Sequence, residues 1–248
     1  MKRTLMVVSL LLLVGLMGCQ QAQQSSVTKT LPDAAAQSNA SFGSDLANSM
    51  CRSMAGWAQN GVSVFSVKGA SIGSKSITGP DGNGYYHITE TMSSGSYSYT
   101  YDVYGRVTPS TGTPTAVDLY GTVTVNVGSS YAYTFTYGSG ASSPFHGAVT
   151  WTGTDVTNVS VNGTIKLVVT APASTGSGTD TIELTMTTSS LSLPITSALD
   201  YPTGMVTIAL KYNGAAQPDM TVNFGGTATA SWTYGDTSGT FTVSPASL

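Results

Sequence analysis

Tyr97-Ser98-Tyr99-Thr100-Tyr101-Asp102-Val103 alternates an aromatic or branched residue with a small polar one at every step. A period of two sends successive side chains to opposite faces of an extended chain, so this stretch reads as a β-strand with one apolar and one hydroxylated face. The same alternation follows it. Val117, Leu119, Gly121, Val123, Val125 and Val127 form one row, Tyr131, Tyr133, Phe135 and Tyr137 another, and Phe145, Gly147, Val149 and Trp151 a third. The C-terminal half continues with Val159 to Val169, Ile182 to Met186, Val206 to Tyr212, Met220 to Phe224, Ala228 to Tyr234, and finally Phe241 and Val243. The opposite phase is mostly Thr, Ser, Asn and Gly.

Turn signals separate the rows: Asp81-Gly82-Asn83-Gly84, Ser94-Gly95, Gly128-Ser129-Ser130, Asn213-Gly214, Gly225-Gly226 and Gly235-Asp236-Thr237-Ser238-Gly239. Connections this short join antiparallel neighbours, because parallel strands need crossovers of a dozen residues or more. The pattern predicts an antiparallel meander of about 11–13 strands. Strands with one apolar face must curl, pair with a second sheet or be covered. A barrel or strongly curved sheet is the expected fold, and a β-sandwich is the alternative. A loose Gly-Thr motif recurs, as at Gly121-Thr122-Val123 and Gly239-Thr240-Phe241, but its irregular spacing argues against a solenoid or propeller.

Upstream the period is different. Leu46, Met50, Met54 and Trp57 recur at steps of four, four and three, the stripe of an amphipathic helix. Ser44 is placed to cap it and Asn60-Gly61 to end it. This helix is expected to pack on the sheet's apolar face.

The first residues have another purpose. Lys2 and Arg3 precede an apolar run from Leu5 to Val14, followed by Gly15 and Gly18, the layout of an export signal. The run is shorter than the roughly 20 residues that span a bilayer. Leu16-Met17-Gly18-Cys19 resembles the bacterial lipobox, although Met17 is bulkier than the residue usual at its position. The resemblance implies cleavage before Cys19, acylation of Cys19 and attachment to a membrane of the cell envelope. Gln20 stands where an Asp would resemble an inner-membrane retention signal, which implies the outer membrane if the cell is Gram-negative. From Gln20 to about Phe42 no apolar period occurs and a flexible tether is expected. The expected organisation is a signal at residues 1–18, a lipidated Cys and tether at 19–43, and a single all-β domain with its N-terminal helix at 44–248.

Only 8% of residues are charged, against about 25% in an ordinary soluble domain. Without Lys2 and Arg3, seven basic and twelve acidic residues remain, a formal charge of −5 without runs. Nothing in this distribution would hold a phosphate backbone, so nucleic acid is not an expected partner. Acylation of Cys19 would leave Cys51 alone, without an intramolecular disulfide. His87 and His146 lack metal-ligand spacing, Asp81–Gly84 lacks the distal carboxylate of a calcium loop, and Glu90 and Glu183 are isolated. No metal, cofactor or catalytic residue is expected.

Ten of the thirteen tyrosines lie between Tyr85 and Tyr137. Tyr97, Tyr99, Tyr101, Tyr131 and Tyr133, with Trp57 above them, are the candidate ligand-binding residues. They would suit an apolar ligand or a sugar if they line an interior, and otherwise would pack on one another as cross-strand pairs. The expected function is a noncatalytic, membrane-anchored envelope lipoprotein with a structural or partner-binding role. A carrier or receptor for an apolar or sugar ligand is the alternative, and a transmembrane β-barrel the third reading.

Overall fold

The computed structural model describes residues 76–109, 112–173, 177–194 and 201–243. The expected helix with Trp57, and Cys19 and Cys51, lie outside them.

Alternation becomes strand pairing throughout. In chain order the strands are β1 (Ser76–Thr78), β2 (Tyr86–Ser94), β3 (Tyr97–Thr108), β4 (Ala116–Val127), β5 (Tyr131–Tyr137), β6 (Phe145–Thr152) and β7 (Asp155–Pro172). They continue as β8 (Thr179–Pro194), β9 (Thr203–Tyr212), β10 (Ala215–Ala216), β11 (Met220–Gly225), β12 (Thr229–Tyr234) and β13 (Thr237–Thr242). All belong to one antiparallel sheet in meander order, within the expected strand number. Among the described residues β1 and β13 are its two ends.

One departure from a simple meander matters for the site. Strand β4 pairs with β5 through Gly121–Val127 and with β6 through Ala116–Leu119. Strand β7 pairs with the same two, β6 through residues 155–162 and β5 through 165–170. Thus β5 and β6 run end to end in one slot between two long strands. The chain leaves that slot after Tyr137, makes the excursion 138–144, and re-enters at Phe145. Ser139 N–H donates to the Ser143 carbonyl and Ser143 N–H to that of Gly140, closing the excursion at its neck.

The sheet also bends along a diagonal through this point. Gly121 has φ +124° and Gly204 φ +109°, and a Cβ on either would lie 2.3 Å from a carbonyl oxygen of the neighbouring strand. Only glycine lets the backbones approach so closely. Between them β8 carries an extra residue at Ser189 and Ser190, a bulge that shifts its register with both β7 and β9. Bulges and glycine kinks curve a sheet in this way. Apolar residues from Ile88 on β2 to Phe241 on β13 consequently join one contiguous core, with Val117, Val159, Val161, Val206 and Val222 fully inaccessible.

Candidate functional site

The candidate tyrosines divide by position. Tyr99, Tyr101 and Tyr133 are at most 8% exposed and belong to the core. Tyr99 and Tyr101 meet edge to face at 5.2 Å. Burial pushes the Tyr101 hydroxyl far above the usual phenol range. Tyr97 and Tyr131 lie at the rim of the same face and are exposed. Glu90 is also buried here, directly across from Tyr101, although its strand gave no sign of a core carboxylate.

A more elaborate arrangement occupies the opposite face. In strand β4 three consecutive residues, Val117, Asp118 and Leu119, are buried, which strict alternation forbids unless something covers the outer face as well. Asp118 is only 3% exposed. Register places it directly between Arg106 on β3 and His146 on β6. Arg106 donates from Nη2 and Nε to Asp118 Oδ2 at 2.8 and 3.1 Å, and His146 Nδ1 lies 2.6 Å from Oδ1. The remaining Arg106 donor group, Nη1, reaches the Asn83 carbonyl at 3.0 Å. A carboxylate taken out of water needs such compensation. Its hydrogen bonds to Arg106 hold the guanidinium more firmly protonated than usual.

Aromatic rings extend the cluster. The Arg106 guanidinium stands 4.6 Å above the ring of Tyr85, a cation–π contact. Tyr85 is 1% exposed, and its hydroxyl has no hydrogen-bond partner. Tyr85 meets Tyr120 edge to face at 4.9 Å, Tyr120 stacks on Tyr104 at 4.6 Å, and Tyr104 stacks on His87 at 4.1 Å. The last three residues are cross-strand partners on β4, β3 and β2, so their stacking follows from register. His87 Nε2 in turn lies 2.6 Å from Asp102 Oδ1.

The turn before β2 supplies the cover. Asp81 Oδ1 accepts the N–H groups of Asn83 and Tyr85, and the Asp81 carbonyl accepts that of Gly84. This is an Asx-type turn in which the carboxylate binds its own backbone. It brings Asn83 to Arg106.

The cluster therefore gathers both histidines of the chain, and Arg106 is the one arginine among the described residues. Arg106 and Asp118 are 12 residues apart in sequence, and Asp118 and His146 are 28 apart. The alternation does place His146 on the Thr-bearing face, but only the pairing register brings Arg106 and Asp118 beside it. Elsewhere on the outer face, Glu183 binds Lys166 at 2.6 Å and Lys211 at 3.1 Å. Among the described residues no group of three or more His, Cys, Asp or Glu is arranged to hold a metal ion.

Comparison with known proteins finds no matching family model, no matching curated protein and no matching solved structure.

Proposed function

We propose that this protein is a lipid-anchored, noncatalytic envelope protein that binds a partner through the outer face of its sheet. The observation that carries the binding role is the row of partly exposed Arg106, His146, Tyr120, Tyr104 and His87 side chains, held in place by buried Asp118 and Tyr85. Such rings and a paired guanidinium are held by their neighbours before any partner arrives, so little conformational freedom is lost on binding. Rigid aromatic and arginine anchors of this kind dominate binding energy at protein interfaces. Tyr99, Tyr101 and Tyr133 offer a ligand little surface by comparison.

The anchor is supported by the export signal and the lipobox-like Leu16-Met17-Gly18-Cys19. Acyl chains contribute about 0.8 kcal/mol per buried methylene, and two or more hold a protein stably. Cys19→Ser in the exported chain is expected to release a folded domain that needs no detergent. Retention of that variant in membranes would instead favour strands embedded in lipid. A photoreactive residue at Tyr104 is expected to give discrete adducts in cells, absent when the same residue replaces exposed Thr229. Equal labelling at both positions would refute the outer-face site.

A further inference from the structure

The described residues expose four large apolar side chains, Met92, Tyr97, Tyr131 and Met205, and three of them share one place. Met92 lies across from Tyr99, and the row Ser94, Tyr97, Val127 and Tyr131 crosses β2, β3, β4 and β5. Met92, Tyr97 and Tyr131 therefore stand together at the end of the sheet formed by the hairpin turns at residues 95–96 and 128–130. Tyr97 is 55% exposed. We infer that these two hairpin tips rest on the bilayer surface, as a second and shallow membrane contact beside the acyl anchor.

Three observations choose lipid as the occupant. The tips are uncharged: no Asp, Glu, Lys or Arg occurs from Thr91 to Tyr101 or from Leu119 to Thr154. At the same end of the sheet the ladder between β7 and β8 carries Asp180, paired with Ala171, so the uncharged zone is confined to the first two hairpins. Tyrosine is also a residue that collects at the membrane–water boundary, with its ring among acyl carbons and its hydroxyl in the headgroups. Finally, Ser76 pairs with Thr89 and Thr78 with His87, so β1 runs away from the tips and its first residue is the one nearer to them. Arg106 lies nine residues from Tyr97 along β3, about 30 Å at roughly 3.3 Å per residue. With the tips on lipid, the Arg106–Asp118–His146 cluster faces away from the membrane.

A tethered domain needs little intrinsic affinity, because the anchor keeps the tips at high effective concentration over the surface. The mature formal charge of −5 adds a sign: contact should weaken as anionic lipid replaces zwitterionic lipid.

The inference rests on the anchored reading, and its test keeps the two apart. Tyr97→Trp is made in the acylated protein, and also in the chain from residue 20 carrying an N-terminal hexahistidine bound to nickel-chelating lipid. Both are held on zwitterionic vesicles with or without bromine near the headgroup end of the acyl chains. Bromine is expected to quench the added fluorescence of Tyr97→Trp relative to the parent, less so in vesicles rich in anionic lipid. It should leave a Thr229→Trp reporter unchanged. No bromine-dependent quenching in the nickel-tethered arm overturns the inference whether or not Cys19 is acylated. A reporter already shielded in the absence of vesicles, by residues 46–57 or by a second copy of the chain, overturns it too. Failure of acylation alone would show as absence of lipid on Cys19, with the nickel-tethered result intact.

Discussion

Replacing Gly121 with Ala tests the bend of the sheet at one of its two closest strand contacts. The glycine has φ +124°, and an added Cβ would lie 2.3 Å from the Asp102 carbonyl oxygen and 2.9 Å from Val103 Cα. Holding a non-glycine residue in so sparsely populated a conformation costs about 1–3 kcal/mol. The clash is with backbone, so strand β3 must move as a unit, and overpacking of this kind adds about 1–3 kcal/mol. Alanine lowers the entropy of the unfolded chain, which returns about 0.4–1 kcal/mol. The net expected loss is about 1–5.6 kcal/mol, a large part of the roughly 5–15 kcal/mol that holds a domain together. Gly95→Ala is the control: φ is +61° there and nothing lies within 4 Å of the added atom, so strain is present without crowding. Urea denaturation followed by tryptophan fluorescence would measure both variants, with circular dichroism to check that each still folds. If Gly121→Ala costs no more than Gly95→Ala, the close approach of β3 and β4 is not a property of the fold and the bend must be explained otherwise.

Three further outcomes follow from the outer face. Tyr85→Phe removes a buried hydroxyl that has no partner, so up to about 1–3 kcal/mol of uncompensated desolvation should be relieved. A lower melting temperature for this variant would mean that the hydroxyl is hydrogen-bonded. Asp118→Ala should cost about 1–3 kcal/mol, because Arg106 and His146 both lose their acceptor. Glu183→Ala, whose lysine partners are half exposed, should cost only about 0–1 kcal/mol; equal losses in chemical denaturation would contradict the burial of Asp118. Hydrogen bonds from Lys166 and then Lys211 hold the Glu183 carboxyl below its ordinary value of 4.5. A folded-state value lower than the unfolded one stabilises the protein above that pH, and the contribution disappears as pH falls through the folded-state value. The stability difference between the parent and Glu183→Gln should therefore shrink below about pH 4.5, and a difference constant across that range would show that the lysines do not act on the carboxyl.

Much of the sheet was legible because its signals are local. Alternation and turn residues act within a few positions, and they place strand after strand, from Tyr97–Thr108 to Thr229–Tyr234, on the predicted segments, whereas β13 already begins at Thr237, inside a stretch that reads as a turn. The Gly225-Gly226 and Asn213-Gly214 turns fall where the chain reverses. The same reasoning sees less at residues 131–152, where two apolar rows look like successive strands of a meander. They lie end to end because β4 and β7 are each long enough to pair with both, and strand length in a sheet depends on the partners. Glu90 was hidden for a related reason: a single acidic residue in an alternating row does not disclose which tyrosines stand across from it.

Sequence alone determined the antiparallel β class and the apolar and hydroxylated faces of each strand. These properties depend on the stereochemistry of one residue and its neighbours. Tertiary structure decided which face is buried twice. Nothing in Ala-Val-Asp118-Leu-Tyr marks its aspartate as inaccessible; it becomes so because register sets Arg106 on one side and His146 on the other, while the Asp81 turn brings Asn83 to the guanidinium. The stack of His87, Tyr104 and Tyr120 arises the same way. Register is a property of pairs of strands, specified by the whole apolar pattern and the turns between them, so contacts between residues 12 to 28 positions apart emerge only when the sheet has closed on its core.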